Sequence, residues 1–180
     1  MAYGMAATEA ERDRALPGDG VVPDPDVVMD RGFDLPAPPG AVFPWLVQLG
    51  KRRAGWYFPR SVERFIPPSR RAIRHLDPRW QGFTVGDVIP DYGGADETFT
   101  VEELEPPRLI VYSSQRGKAL VTWVLHLEPA QDGTRAHLRL RVGPVKHPRV
   151  MGSVGDLFDL VTIAGMAAGL RERLRDSSWT

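Results

Sequence analysis

The chain contains no cysteine, which removes disulfides, thiolate metal sites, iron–sulfur clusters and cysteine nucleophiles together. It has no net charge either, since 23 Lys and Arg face 23 Asp and Glu. Binding to nucleic acid or to an anionic membrane surface rests on a basic face, so neither is expected as the main partner. No run reaches the ~18 consecutive apolar residues of a spanning helix, so no membrane span is expected. The first twenty residues lack the apolar stretch and cleavage pattern of a secretory signal, which points to the cytoplasm. Lysine is confined to Lys51, Lys118 and Lys146, and the arginine excess reads as codon bias of a GC-rich genome. His75, His126, His137 and His147 show no helical metal spacing, and without clustered carboxylates no metal is expected. No P-loop, dinucleotide fingerprint or nucleophile elbow is present, so no cofactor is expected and the catalytic residues stay unassigned.

What is present is ordinary for one globular domain: 180 residues, 42% hydrophobic and 26% charged. Residues 1–20 are small, charged and unpatterned, and read as a flexible leader before a single domain over 21–176. Val27 to Leu35 reads as a first strand, ended by Pro36, Pro38 and Pro39. A helix follows from Gly40 to Leu49, with Val42, Phe43, Leu46 and Leu49 at helical spacing and Gly50 as its C-cap. Short helices are expected at Ser61–Phe65, with Ser61 as N-cap, and within Ser69–Leu76. The second half is β-rich: Phe83–Ile89 with a Gly86-Asp87 turn or bulge inside it, Thr98–Leu104, Arg108–Ser114, Leu120–Glu128 and Thr134–Val142, with short connections that allow only antiparallel pairing. Asp132-Gly133 is a strong hairpin signal. A long helix over Ser153–Leu174 closes the chain, with Ser153 and Asp156 in a capping arrangement. Leu157, Leu160, Val161, Ala164, Ala167, Ala168 and Leu170 form its expected apolar stripe. The fold class is therefore α+β, an antiparallel sheet wrapped around a long C-terminal helix.

That order, carried by PGAVFPWLVQLGKRRAGWY, VGDVIP, VEELEPPRLIVYSS and VTWVLHLEPAQDGTRAHLRLRV, resembles the START-like (SRPBCC) superfamily. This is the helix-grip fold of polyketide cyclases and aromatases, lipid-transfer domains and birch-pollen-allergen-like proteins. More narrowly, the chain resembles a bacterial branch with a Pro-Trp-Leu-Val-Gln-x-Gly helix followed by Gly-Trp-Tyr. The resemblance runs from about Val27 to Leu174 and implies a deep apolar cavity between the curved sheet and the C-terminal helix.

Aromatic residues concentrate where the first helix hands over to a loop: Phe43, Trp45, Trp56, Tyr57 and Phe58. Such a cluster builds either a core corner or a cavity wall. Strand alternation puts Val121, Trp123, Leu125 and Leu127 on one side and Thr122, Val124, His126 and Glu128 on the other. In the next strand Ala136, Leu138, Leu140 and Val142 face inward, while His137, Arg139 and Arg141 face solvent. Between Leu109, Val111, Ser113 and Ile110, Tyr112, Ser114 the inward set is undecided. The candidate cavity lining is Trp45, Trp56, Tyr57, Trp80, Val101, Tyr112, Trp123, Leu125, Leu138, Leu140, Leu157, Leu160, Val161 and Ala164. For the aromatics, plain core packing is the competing reading throughout.

Three functions are compatible with these residues. The first is a monomeric or homodimeric binder of a small apolar molecule, aromatic or lipid-like, in an enclosed pocket of several hundred Å3. The second is a cyclase- or dehydratase-like enzyme in the same cavity, with Tyr57, Tyr112 and Asp159 as the polar groups. The third is a protein-interaction or stress-response module, which requires an exposed apolar patch instead.

Overall fold

The computed structural model describes residues 4–146 and 148–177, with the side chains of 148–157 outside the description. Six strands form one antiparallel sheet: β1 (Val27–Leu35), β2 (Val88–Pro90), β3 (Thr98–Glu105), β4 (Leu109–Arg116), β5 (Ala119–Ala130) and β6 (Gly133–Gly143). Their order is β1-β6-β5-β4-β3-β2, so the first strand lies beside the last. The helices are α1 (Glu9–Asp13), α2 (Pro39–Gln48), α3 (Arg60–Glu63) and α4 (Pro148–Asp176), with 3-10 turns at Pro68–Arg70 and Pro78–Trp80. A curved sheet gripping a C-terminal helix is the expected helix-grip architecture.

Local chemistry explains most boundaries. The β5–β6 hairpin turns at Gln131-Asp132 with Ala130 paired to Gly133, so it falls one residue before the Asp-Gly dipeptide that signals it. Helix α2 starts with Pro39 in its first turn and ends at Gln48, with Leu49 rather than Gly50 as its C-cap. Gly50 then takes φ +140°, and Gly50 and Gly55 exchange backbone hydrogen bonds of 3.3 and 3.0 Å, which pinches off a tight loop. Around α3, Pro59 rather than Ser61 is the N-cap. Over Phe83–Ile89 only the last residues pair, because the Asp87 carboxylate accepts from the Thr84 amide at 2.7 Å and folds the start into a turn. Over Ser69–Leu76 the backbone is drawn away from helix: the Ile73 amide donates to Ala54 O, and the Ile73 carbonyl accepts from Arg173.

Helix α4 begins at Pro148, so Ser153 falls inside it rather than at its cap; its side chain and that of Asp156 lie outside the described residues. The buried stripe of α4 is Ile163, Met166, Ala167, Leu170 and Leu174. Leu160 and Val161, expected on that stripe, are exposed. Apolar residues occupy several faces of this helix, so spacing alone admits two phases. Gly165 and Gly169 select one of them. A Cβ at Gly165 would lie 2.8 Å from the Phe58 ring, and one at Gly169 would lie 2.6 Å from the Phe58 backbone. Phe58 therefore seats in a glycine notch. One turn on, the fully buried Arg173 bonds Glu63 at 2.6 Å, donates to Phe58 O and Ile73 O, and lies over the Tyr57 ring.

The convex face of the sheet departs most from expectation. The leader expected to be flexible is folded over it. Thr8 and Glu11 form a reciprocal capping box at α1, and Leu16 packs on Leu109, Val111 and Val124. Thr122, Val124 and His126 are buried in consequence, as are His137 and Arg139 at 2% and 3% exposure. Arg139 donates to Asp30 (2.8 Å), Asp19 (3.0 Å) and the carbonyls of Glu11, Arg12 and Arg14. Arg135 grips Glu11 through two bonds, and Arg141 holds the carbonyls of Val22 and Pro23. The alternation along β6 is as expected, but its polar face binds the chain's own backbone rather than water. Covering both faces also resolves β4: Ile110 and Tyr112 join the main core, while Leu109 and Val111 pack under the leader.

Candidate functional site

The concave face carries one continuous aromatic cluster. In register across the sheet, Met29, Leu140, Trp123 and Tyr112 form a row from β1 to β4. Trp123 stacks on Tyr112 at 5.8 Å and on Trp56 at 6.2 Å between ring centroids. Phe99 on β3 tilts against both Tyr112 and Trp123, Phe83 against Tyr112, and Tyr92 meets Trp56 edge-on. The pinched Gly50–Gly55 loop delivers Trp56, whose indole N–H donates to Thr162 O on α4 at 3.2 Å. The cluster is thus tied to the helix as well as to the sheet. Trp56, Trp123 and Leu140 are half-buried, which opens one side of it. The void left beside the rings is only about 20 Å3, bordered by Leu46, Ile89, Tyr92, Phe99, Tyr112 and Trp123, so the enclosed pocket of several hundred Å3 expected here is instead filled by the aromatic side chains.

The candidate residues divide clearly. Trp56, Tyr112, Trp123 and Leu140 come together here. Val101, Leu125 and Leu138 are buried in the core beneath. Trp45 and Tyr57 are core residues and not lining: the rings meet edge-on at 5.8 Å, and the Tyr57 hydroxyl donates to Trp45 O at 2.8 Å. Trp80 lies apart from the cluster, between the guanidinium groups of Arg53 and Arg79 at 5.1 and 5.7 Å. Ala164 is half-buried, Leu160 and Val161 point outward, and the Leu157 side chain lies outside the described residues. Sequence reasoning missed Phe99, Tyr92 and Phe83, although the alternation of Thr98–Leu104 marks Phe99 as inward with Val101. It also missed Gln48, which is fully buried and staples the 75–81 segment by accepting from the Asp77 amide and donating to His75 O.

Burial raises the pKa of Tyr57 and of Tyr112 well above the ordinary phenol range, so both stay protonated at neutral pH. Asp159 on α4 is ion-paired with Arg31 on β1 at 2.9 Å. Among the described residues no group of three or more His, Asp or Glu is placed to hold a metal ion. No helix among them is long and apolar enough to cross a membrane. A second cleft of about 320 Å3 lies at the opposite end, where the β5–β6 hairpin meets Leu35, Arg171 and Arg175. Its rim is charged, unlike the aromatic cluster.

No protein-family model matches the chain, and a search of curated proteins finds no match. Solved structures do match in fold. NE0264 from Nitrosomonas europaea is similar with a TM-score of 0.56 and 13% identity, over 92% of this chain and 100% of that one. A protein from Rhodobacter sphaeroides gives 0.54 at 14% identity, over 85% and 95% of the two chains. DynU16, a protein in the dynemicin biosynthetic locus, gives 0.52 at 14% identity, over 84% of this chain and 48% of its own. At such identities the likeness is one of architecture, and the helix-grip fold is what this chain shares with these proteins.

Proposed function

We propose that this chain binds a small apolar molecule, aromatic or lipid-like, on the concave face between the sheet and the first half of α4. The carrying observation is the half-open stack of Trp56, Trp123 and Tyr112, continued by Phe99 and flanked by Leu140. Flat rings with one exposed side offer large contact area at small entropic cost. The 20 Å3 void is too small for a ligand as it stands, so binding displaces Trp56 or the helix turn it is bonded to. Residues 21–176 act as the binding domain, as a cytoplasmic monomer or homodimer without a cofactor.

A cyclase-like enzyme using the same face has weaker support. The Tyr57 hydroxyl is committed to Trp45 O, and burial keeps Tyr112 from acting as a base. An interaction module has one specific observation behind it, the exposure of Phe158 (73%) and Val161 (65%) on α4. Tryptophan fluorescence titration with fatty acids and polycyclic aromatics separates the readings. Saturable quenching that Trp123→Phe weakens supports the binder. A flat response to every probe, with concentration-dependent dimerisation in light scattering, overturns it in favour of the module.

A further inference from the structure

On β1 the inward positions read Val27, Met29, Arg31, Phe33, Leu35. Their partners on β6 are Val142, Leu140, Leu138, Ala136 and Thr134, and β5 adds Val121, Trp123, Leu125, Leu127 and Pro129. Arg31 is the only charged residue in this set. An arginine on an apolar sheet face is unfavourable unless its charge is met, and here the Asp159 carboxylate meets it at 2.9 Å with side-chain exposures of 12% and 18%. Asp159 reaches it from the stretch of α4 where Phe158, Leu160 and Val161 turn outward. Among the described residues, the Arg31–Asp159 pair and the Trp56 indole on Thr162 O tie that stretch to the rest of the protein. The second half of α4 is held independently, by the glycine notch around Phe58 and by Arg173. The first half can therefore shift without releasing the second.

We infer that Arg31 is the anion anchor of the concave-face site, and that the ligand is an amphipathic carboxylate whose head takes the place of Asp159 on the guanidinium. This rests on the binding function proposed above and names its ligand class. A carboxylate is the head that fits, because it carries the charge that Asp159 brings to the Arg31 Nε and its two oxygens match the guanidinium fork. The apolar body lies along Leu140 towards Trp123. Arg31 and Trp123 are separated by one inward step along the strand and two strands across, roughly 12 Å between their backbones. That span suits a medium-chain fatty acid or an acid of two or three fused rings.

The test uses dodecanoic acid and 1-dodecanol, which share a chain and differ in the head, titrated against the full chain by tryptophan fluorescence. The wild type is expected to bind the acid about tenfold or more tighter than the alcohol. Arg31→Met should abolish that preference while keeping alcohol binding, and Asp159→Asn should tighten the acid several-fold by removing its competitor. Equal binding of acid and alcohol by the wild type overturns the anchor but leaves the apolar site standing. So does an Arg31→Met variant that is folded, by circular dichroism, and still prefers the acid. If Arg31→Met does not fold, the wild-type ratio and the Asp159→Asn shift decide between anchor and no anchor. Binding of neither probe overturns both the anchor and the site.

Discussion

The two faces of one sheet solve the same problem in opposite ways. The concave face is covered by apolar surface: α2, the second half of α4 and a cluster of aromatic rings. The convex face is covered by the leader, and there the fastening is polar. Arg135, Arg139 and Arg141 stand on the same side of β6 and saturate their guanidinium groups on Glu11, Asp19, Asp30 and backbone carbonyls of the leader. The aromatic side tolerates an open edge, since a half-buried ring still gains from the contacts it keeps. The charged side does not, because a buried donor that loses its acceptor carries the full desolvation penalty. The concave face is accordingly the one proposed to admit a ligand, and the convex face is sealed by the leader.

The sharpest way to break this comparison is Arg139→Ala. It takes a donor from Asp30, which keeps His137, from Asp19 and from three carbonyls, and a loss of about 3–5 kcal/mol in urea unfolding is expected. A loss below about 1 kcal/mol, the size of a surface pair, would mean the leader is not part of the cooperative fold. On the concave side, Gly169→Ala sets about 1 kcal/mol of helix propensity against a Cβ placed 2.6 Å from the Phe58 backbone. The clash should win, for a net loss of about 1–3 kcal/mol; stabilisation would show that Phe58 is not seated in the notch. The smallest effect is local and pH-dependent. At Glu11, burial raises the pKa, but bonds from Arg135 and the Thr8 amide outweigh it and bring it from 4.5 to about 2. Because the folded value is depressed, this contribution is complete above pH 4.5 and is lost as pH falls towards 2. The hydrogen-exchange protection of residues 5–22, taken relative to the intrinsic rate at each pH, should fall across that window, and Glu11→Gln should flatten the dependence. An equal loss of protection in the concave core over the same pH range would erase the distinction between the faces.

Much of this was readable along the chain. The bounds of β1, the Asp132-Gly133 hairpin, the antiparallel second half and the inward side of Trp123 follow from local rules of alternation, proline placement and turn chemistry. Covering layers were not readable. His137 and Arg139 sit on the polar side of β6 as alternation demands, yet whether that side meets water depends on leader residues far earlier in the chain. Trp45 and Tyr57 were indistinguishable from lining residues because an aromatic helix end looks the same whether it packs inward or borders a pocket.

The amino-acid order by itself determined the strands, the main helices α2 and α4 and the helix-grip architecture, since periodicity and breakers act over a few residues, but not α1 or the exact caps. It also excluded cysteine chemistry outright. Only the tertiary structure decided the rest: which face of α4 is buried, that the leader seals the convex side, and that Arg31 turns inward to meet Asp159. Each of these is a contact between segments far apart in the chain. Its free energy depends on shape and desolvation at the meeting surface, which no local pattern encodes.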